Sequence, residues 1–292
     1  AAGVVHALAD FAKSCSKLSG HVQPGDRIFF DLRSEGCSVP FSGNLSYVPE
    51  RLVPSDAVFV LSFSRDAPTL WEWLGEDRQQ LILFGWSNIE GKPKPFEDAK
   101  QLFSWFKPEV SIALLGLSDT ISISNLLAPS KARDPFFVLH LQLVLSLVKD
   151  FDPRPILESP EFVEMLSDYT PKDLEPGGRF AKEYCLSNDD KKCFSIIHAK
   201  DKLLVVTGAG EGARHLRVVS GKVPSLADSL FVAQEGKNPF TMTLKTRRLV
   251  RDLDSKGVPP YFLRMLASLL ELRITAKPDS SSSLINGEVV LR

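Results

Sequence analysis

The stretch FTMTLKTRRLVRDLDS, residues 240–255, decides the fold that we expect for this chain. Its first five residues alternate between apolar side chains and threonines, which predicts a strand with one buried face. The remainder places Leu249 and Leu253 on one side of a helix and Arg247 and Arg251 on the other. The stretch therefore predicts a strand followed by a short basic amphipathic helix.

Alternating patterns elsewhere predict further strands, most clearly at 139–147, where every second residue is leucine. Strict alternation of this kind favours a long, half-buried strand over a helix. Two more strand patterns, at 272–275 and 284–291, follow the basic helix. The fold class that we expect is therefore α+β, with antiparallel sheets.

Residues 149–160, KDFDPRPILESP, contain three prolines and no repeating pattern, so they predict a linker. Helix, strands, strand, helix and strand are expected in that order on each side of it. We therefore expect two similar domains, at 1–148 and 161–292, joined by an interdomain connector.

Composition and charge exclude several classes of protein. Hydrophobic residues make up 43% of the 292 residues and charged residues 24%, as in globular domains with a buried core. A net charge of −1 gives no overall attraction to nucleic acid or membranes, so such binding must depend on local patches. The longest apolar run, near 136–148, has about 13 residues, whereas a membrane-spanning helix needs ~20. We also expect no signal peptide, since the chain opens directly into a helical pattern.

Four cysteines, Cys15, Cys37, Cys185 and Cys193, lie far apart without a paired CxxC spacing. This pattern favours neither a zinc site nor a disulfide framework, and it fits a reducing compartment best. The five histidines also lack metal-ligand spacing on one helix, so we expect no metal site.

The glycine-rich turn GAGEGA at 208–213 fits the dinucleotide-binding pattern GxGxxA. Such a site needs a helix N-terminus for the pyrophosphate, but the following residues at 214–220 show a strand pattern. We therefore interpret the turn as part of a hairpin. No nucleophile elbow or carboxylate pair stands out, so we expect no catalytic residue, no cofactor and no enzymatic activity. A nucleotide-dependent enzyme is the alternative that would depend on this turn.

Two basic stripes are candidates for contact with DNA phosphates. One lies on an amphipathic helix that we expect to run from near the N-terminus to about Gly20, and the other lies on the basic helix described above. Such contacts are independent of DNA sequence and weaken with salt. The alternative is that both stripes are solvated helix faces. The candidate DNA-binding residues are Lys13, Lys17, Lys245, Arg247, Arg248 and Arg251.

Residues 193–212, CFSIIHAKDKLLVVTGAGEG, resemble the strand, turn and strand of sliding clamps of the proliferating-cell-nuclear-antigen type. Residues 240–253 are similar to the strand and basic helix of the same fold, and residues 161–169 to the helix that opens a clamp domain. Within this family the chain is most similar to subunits of the heterotrimeric DNA-damage checkpoint clamp. An Arg-Arg-Leu helix followed by Gly-Val-Pro at 257–259, and the ending at 284–291, carry that similarity.

The resemblance implies a ring of three subunits, each with two similar clamp-like domains whose helices share one concave face and line a hole around duplex DNA. It implies no catalysis and a location in the nucleus. The implied partners are two other clamp subunits, an ATP-driven clamp loader, double-stranded DNA, and checkpoint and repair proteins. Edge strands would pair across subunits, which protects otherwise open sheet edges.

The chain departs from the clamp pattern in three respects. The strand expected before the first helix is not in the sequence. The helix at 161–169, and one near Thr69, carry carboxylates that would repel phosphate. The segment 86–106 is longer than a compact clamp needs and is interpreted as an insertion. The alternative function is an α/β protein-interaction or viral structural module without nucleic-acid binding.

Overall fold

Antiparallel strands dominate the structure, a computed structural model that describes residues 17–23, 27–35, 43–65, 67–72, 76, 79, 99–118, 139–175, 178–229, 238–279 and 282–291. The strands are β1 (Lys17–Gln23), β2 (Arg27–Glu35), β3 (Phe59–Ser64), β4 (Phe106–Leu117), β5 (Leu139–Leu147), β6 (Tyr169–Asp173), β7 (Ala181–Leu186), β8 (Asp189–Ala199), β9 (Lys202–Thr207), β10 (Phe240–Lys245), β11 (Leu269–Asp279) and β12 (Ser282–Leu291). The helices are α1 (Ala99–Ser104), α2 (Arg154–Leu157), α3 (Pro160–Met165), α4 (Glu211–Val219), α5 (Thr246–Ser255) and α6 (Pro260–Ser268), with short 3-10 turns at Pro49–Leu52 and Ala227–Ser229.

These strands form a single antiparallel sheet in the order β1-β2-β12-β11-β10-β3-β4-β5-β9-β8-β7-β6. The prediction of an α+β fold with antiparallel strands is therefore confirmed. The three last strands lie between the second and the third, because β12 pairs with β2 and β10 pairs with β3. Alternation within a strand indicates which face is buried, but it does not indicate which strand is the neighbour.

The strands before and after residues 149–160, the segment that we predicted as a connector, belong to the same sheet. β5 precedes this segment and β9 follows it, yet the two strands are neighbours, with Gln142 opposite Val206. The segment itself contains α2. The division into similar domains at 1–148 and 161–292 stays a prediction.

Several local predictions are confirmed. The leucine alternation at 139–147 forms β5 over the same residues, and the stretch at 240–255 forms β10 followed by α5. The helix predicted at 161–169 exists as the shorter α3. The hydroxyl of Ser159 caps its start by accepting a hydrogen bond from the backbone nitrogen of Phe162 at 3.2 Å.

The predicted N-terminal helix is wrong for its last turn, because Lys17 and Gly20 lie in β1. This strand pairs with β2 along its whole length, so the ladder satisfies the backbone groups that a helix would otherwise satisfy. The apolar residues that gave the helical spacing lie mostly before residue 17. That part of the prediction, with Lys13, lies outside the described residues.

The predicted hairpin turn at 208–213 and the strand after it are also wrong, because the chain there forms α4. Gly210 enters the helix with a φ of 74°, a left-handed conformation that glycine adopts without strain. Leu216 and Val218 alternate as they would in a strand, which misled the prediction. Glu211 and His215 lie four residues apart and are both buried, so they mark the inner face of the helix. Because both side chains are polar, the apolar pattern of the sequence did not reveal this face.

Cys185 and Cys193 form a disulfide between β7 and β8, so the prediction of no disulfide is wrong for this pair. The residues are 8 positions apart in sequence, and the hairpin places them opposite each other with their Cα atoms 4.1 Å apart. Such pairing depends on strand register, which cysteine spacing alone does not reveal. Cys15 and Cys37 lie outside the described residues.

Apolar clusters cover both faces of the central strands. Leu204 of β9 packs in a cluster with Leu216 of α4, whereas its neighbour Leu203 packs in a second cluster with Leu157 of α2 and Phe162 of α3. Consecutive residues of a strand point to opposite faces. The helices therefore lie on both faces, and the prediction that they share one concave face is wrong, since each apolar face of these strands requires a cover.

Gly212 lets α4 lie directly on β8. A methyl group at this position would overlap the side chain of Ser195 and come within 2.9 Å of Leu174 Cδ1. We predict that Gly212→Ala lowers the free energy of unfolding by about 1–3 kcal/mol, because helix and strand must move apart. Helix propensity alone would favour alanine by about 1 kcal/mol. The sign of the measured change in the free energy of unfolding therefore distinguishes the packing effect from helix propensity. Urea unfolding followed by circular dichroism measures this change.

The neighbouring Ala213 is exposed and provides the control. Ala213→Gly should cost about 1 kcal/mol through propensity alone. Adding Ser195→Gly to Gly212→Ala removes the overlapping side chain and should recover much of the lost stability. A Gly212→Ala protein as stable as the unmodified chain would contradict this close packing of α4 on β8.

Candidate functional site at helices α4, α5 and α6

The structure brings four of the six candidate cations together around α5. Lys13 lies outside the described residues. Lys17 lies at the first position of β1, and three strands separate β1 from β10 in the sheet. It therefore does not join the others. The four that lie on or beside α5 are Lys245, Arg247, Arg248 and Arg251.

The side chain of Lys245 turns inward at the start of α5. Its Nζ donates to the backbone oxygen of Ser229 at 3.1 Å and lies 2.9 Å from the hydroxyl oxygen of the same residue. Burial lowers the pKa of this amine, Glu271 opposes the shift and Arg247 adds to it. Lys245 therefore anchors the helix to the 3-10 turn at Ala227–Ser229 and is engaged within the protein.

Arg248 is the centre of a partly buried ionic cluster, with only 13% of its side chain exposed. Its Nη1 lies 3.2 Å from Asp56 Oδ2, its Nη2 3.6 Å from Glu211 Oε1, and its Nε 3.7 Å from Asp252 Oδ2. Arg214 of α4 pairs with Asp56 and, at 3.4 Å, with Glu211. We call these five residues the arginine network. It joins α5 to α4 and to the turn before β3.

A glycine on β4 makes room for this network. A Cβ atom at Gly116 would lie 2.8 Å from Arg248 Nε and 2.9 Å from Asp252 Oδ2. The next residue, Leu117, donates its backbone N–H to the same Asp252 oxygen at 3.2 Å. The strand therefore admits the guanidinium and also helps to hold its carboxylate partner.

Burial shifts the pKa values of the groups around the network. It raises the pKa of Glu211, and the opposing effect of Arg248 is smaller. Burial, followed by the charges of Arg248 and other arginines, lowers the pKa of Arg214 to about 10. Burial also lowers the pKa of His215 to about 4, which keeps this ring neutral near pH 7. The ring is held 2.8 Å from the Glu211 carbonyl oxygen and 3.1 Å from Gln142 Oε1.

The glycine-rich turn at 208–213 does lead into a helix, but carboxylates surround the start of that helix. The backbone N–H of Gly210 donates to Glu183 Oε1 at 2.8 Å, and Glu211 occupies the first turn. A dinucleotide site instead leaves these N–H groups for the pyrophosphate, on a strand of a parallel sheet. The geometry therefore favours a structural role for this motif.

Arg247 and Arg251 are exposed on α5, and 70% of the Arg251 side chain is accessible to solvent. The following helix, α6, exposes Tyr261 by 74%, Phe262 by 52% and Met265 by 58%. The two rings pack edge to face, with centroids 5.7 Å apart. We define the hairpin surface as the exposed basic and large apolar residues of these two helices: Arg247, Arg251, Tyr261, Phe262, Arg264 and Met265.

The sequence reasoning missed α6, although a signal was present. Pro259 and Pro260 mark a helix start after Gly257, and apolar residues then occur on all sides of the segment. Within this helix, only Leu263 is buried. A helix that is apolar all round normally requires cover on every side, so this pattern predicts apolar side chains beyond those that face the sheet.

The opposite charge is found on α3, where Glu161 and Glu164 are exposed. Val163 lies between them and is 59% exposed. We call these three residues the acidic surface. The sequence predicted the carboxylates of this helix, but not the apolar side chain that accompanies them at the surface.

Comparison of the chain with protein-family models, with curated proteins and with solved structures found no match. Within the described residues, no three His, Cys, Asp or Glu side chains are arranged to hold a metal ion. None of the helices in the described part of the chain is long and apolar enough to cross a membrane.

Arg248→Met removes the central charge of the network but keeps most of the side-chain volume. We predict that it lowers the free energy of unfolding by about 3 kcal/mol at pH 7, because the carboxylates lose their cation. It also raises the pKa of Glu211 further above its unfolded value. Such a group destabilises the folded state only while it is ionised, so the loss should shrink as the pH is lowered and Glu211 becomes protonated. Urea unfolding at several pH values measures it.

Arg251→Met is the matched control, since it removes an exposed arginine from the same helix. Its effect should stay within about 0.5 kcal/mol at every pH. Equal losses for the two variants, or a loss for Arg248→Met that does not change with pH, would contradict the network.

Proposed function

We propose that this chain is a non-enzymatic subunit of a protein assembly, in which the hairpin surface of one subunit binds the acidic surface of the next. The observation that carries the proposal is the exposure of Tyr261, Phe262 and Met265 on one helix. Large apolar side chains beside charged ones are typical of protein interfaces. A surface that only followed a phosphate backbone would not need them.

Charge complementarity supports the choice of partner surface. The hairpin surface carries exposed arginines, including Arg247 and Arg264, whereas the acidic surface carries Glu161 and Glu164. Charges of opposite sign steer association and fix its orientation. Burial of the aromatic rings against Val163 would supply the apolar contribution.

The two surfaces of one chain lie on opposite faces of the sheet, so the contact must join different chains. The arginine network ties α5 to α4, which packs with Leu204 of β9, whereas Phe162 of α3 packs with Leu203 on the other face. Contacts between unlike surfaces of successive copies build a ring or a filament.

The β6 edge of the sheet favours helix-mediated assembly over strand pairing. Leu174 donates its N–H to Ala181 of β7, so alternation directs the backbone nitrogen of Pro171 to the outer edge. Proline has no N–H, and the exposed Lys172 follows it. Both features discourage an added strand. The prediction that edge strands pair across subunits thus has less support at β6 than at β1.

Charge reversal tests the assembly. We predict that Glu161→Lys/Glu164→Lys and Arg247→Glu/Arg264→Glu each weaken self-association about tenfold, since surface pairs contribute up to about 1 kcal/mol each. An equimolar mixture of the two variants should recover part of the association, because both kinds of contact between unlike variants pair opposite charges. Sedimentation velocity over a range of concentrations, at low and moderate salt, measures both effects.

Lys172→Glu/Lys191→Glu is the control, because it reverses two exposed lysines outside both surfaces. Phe262→Ser should weaken association at every salt concentration, since it removes apolar area and leaves the charges unchanged. A chain that stays monomeric at all concentrations tested would contradict assembly from copies of this chain.

A second candidate function is a subunit of the DNA-damage checkpoint clamp, a non-enzymatic ring that encircles duplex DNA and recruits checkpoint and repair proteins. The exposed pair Arg247 and Arg251 favours it, since both lie on the basic helix predicted to face DNA. Under this proposal the partners are two other clamp subunits and a clamp loader, and the location is the nucleus. Lys245 and Arg248 would then position the helix.

Duplex DNA tests this second candidate. We predict that Arg247→Glu/Arg251→Glu weakens binding to a duplex of about 30 base pairs. The slope of log K against log salt should become shallower by about 2, since each phosphate contact contributes about 0.9. Fluorescence anisotropy of a labelled duplex at several salt concentrations measures both quantities.

Arg217→Glu/Lys222→Glu makes the same change in net charge at other exposed positions and serves as the control. Equal effects of the two double variants would remove Arg247 and Arg251 from the DNA-binding residues. An unmodified chain that does not bind duplex DNA at low salt would contradict the clamp proposal and leave the assembly proposal intact.

A further inference from the structure

A cleft of about 470 Å³ opens beside the turn between β8 and β9, away from the hairpin surface. Its lining is unusually basic, with Arg154, Arg179, Lys200 and Lys202 contributed by α2, the segment before β7, and the β8–β9 turn. A volume of this size suits a small organic molecule, and the concentration of cations indicates its charge.

Ion pairs neutralise only part of this positive charge. Lys202 Nζ lies 2.7 Å from Asp201 Oδ2, and Arg179 Nε lies 3.0 Å from Glu175 Oε2. Within the described part of the chain, Arg154 and Lys200 form no ion pair within 4 Å. The cleft therefore keeps two cations that are not neutralised by a neighbouring carboxylate.

Other carboxylates lie on the far side of the arginines. Glu158 and Asp173 line an adjoining cleft of about 310 Å³, which shares Arg154 and Arg179. Neither carboxylate lies within ion-pair distance of those arginines among the described residues. They reduce the positive potential of the wall that Arg154 and Arg179 share, whereas Lys200 and Lys202 line the cleft of about 470 Å³ and not the adjoining one.

Lys202 supplies a fixed ammonium group at the base of the cleft. The residue is 4% exposed, and its Nζ donates to Asp201 and to Ser46 Oγ, the latter at 3.1 Å. Ser46 is held in turn by Glu109, whose Oε2 accepts from its hydroxyl at 2.7 Å. The ring of Tyr47 packs 4.7 Å from the same Nζ. An ammonium has three N–H donors, and these hydrogen bonds use two of them.

His198 provides a second polar group that lacks a protein partner. Its Nε2 is buried and forms no hydrogen bond within the described residues. Buried polar atoms are nearly always hydrogen-bonded, so such an atom in a basic cleft indicates a missing partner. Leu52, Ala199 and Val219 add apolar side chains to the lining.

From these contacts we infer that the cleft binds a small organic anion, whose phosphate or carboxylate group lies among Lys202, Lys200 and Arg154 and whose apolar body lies against Leu52 and Val219. Oxyanions accept hydrogen bonds from lysine and arginine donors, and those bonds are stronger than bonds between neutral groups. This site would serve the chain whether or not the proposed assembly forms.

Isothermal titration calorimetry with phenyl phosphate, benzoate and inorganic phosphate tests the site. We expect saturable binding of phenyl phosphate or benzoate at one site per chain, and weaker binding of inorganic phosphate, which lacks an apolar body. A preference between the first two identifies the oxyanion. No saturable binding of any of the three at millimolar concentrations would overturn the proposal, and so would the tightest binding by inorganic phosphate.

Arg154→Gln/Lys200→Asn removes the two unpaired cations and breaks no ion pair. Asparagine suits position 200 because the backbone there has a φ of 57°, a left-handed conformation that asparagine tolerates. We expect at least a tenfold loss of affinity. Lys172→Gln/Lys191→Asn is the control, and it should bind like the unmodified chain. Equal affinities for both double variants, each shown to be folded by circular dichroism, would overturn the proposal.

Discussion

The partly buried guanidinium of Arg248 holds the helices of one face to each other and to the sheet. Removing such a group from water costs several kcal/mol, and only close carboxylates offset that cost. Glu211, Asp56 and Asp252 supply them from α4, from the turn before β3 and from α5 itself. Arginine suits this position because its planar fork of five donors meets several carboxylates at once, whereas an ammonium acts as a point charge. Arg248, together with Lys245 at the start of the helix, therefore fixes the position of α5.

The same anchor determines what α5 presents to solvent. In a helix of 3.6 residues per turn, Arg247 and Arg251 lie about 40° apart, and both are rotated away from Arg248. Fixing Arg248 toward the sheet therefore exposes the other two arginines together. Leu263 then buries its side chain on the inner side of α6, which leaves Tyr261 at the surface. The outward surface is basic because Arg248 faces inward on α5, and it is aromatic because Leu263 faces inward on α6.

Local patterns predicted the elements whose periodicity one stretch of chain contains, such as β5 at 139–147 and the strand and helix at 240–255. They did not predict α4, because Glu211 and His215 mark its buried face with polar side chains. Nor could they predict the arginine network, since Asp56 and Arg248 are 192 positions apart. The exposed half of the basic helix was therefore predictable. Its buried half depends on long-range contacts that local periodicity does not contain.

Helix α4 spans the distance between the arginine network and the basic cleft. Glu211 at its start belongs to the network, and Val219 at its end lines the cleft. Its nine residues extend about 13 Å. The contact of Gly212 with Ser195 fixes its position along β8, so sliding would require breaking a close-packed contact. Sites more than about 10 Å apart that share no partners usually behave additively. Occupation of the cleft should therefore leave the hairpin surface, and the assembly that depends on it, unchanged.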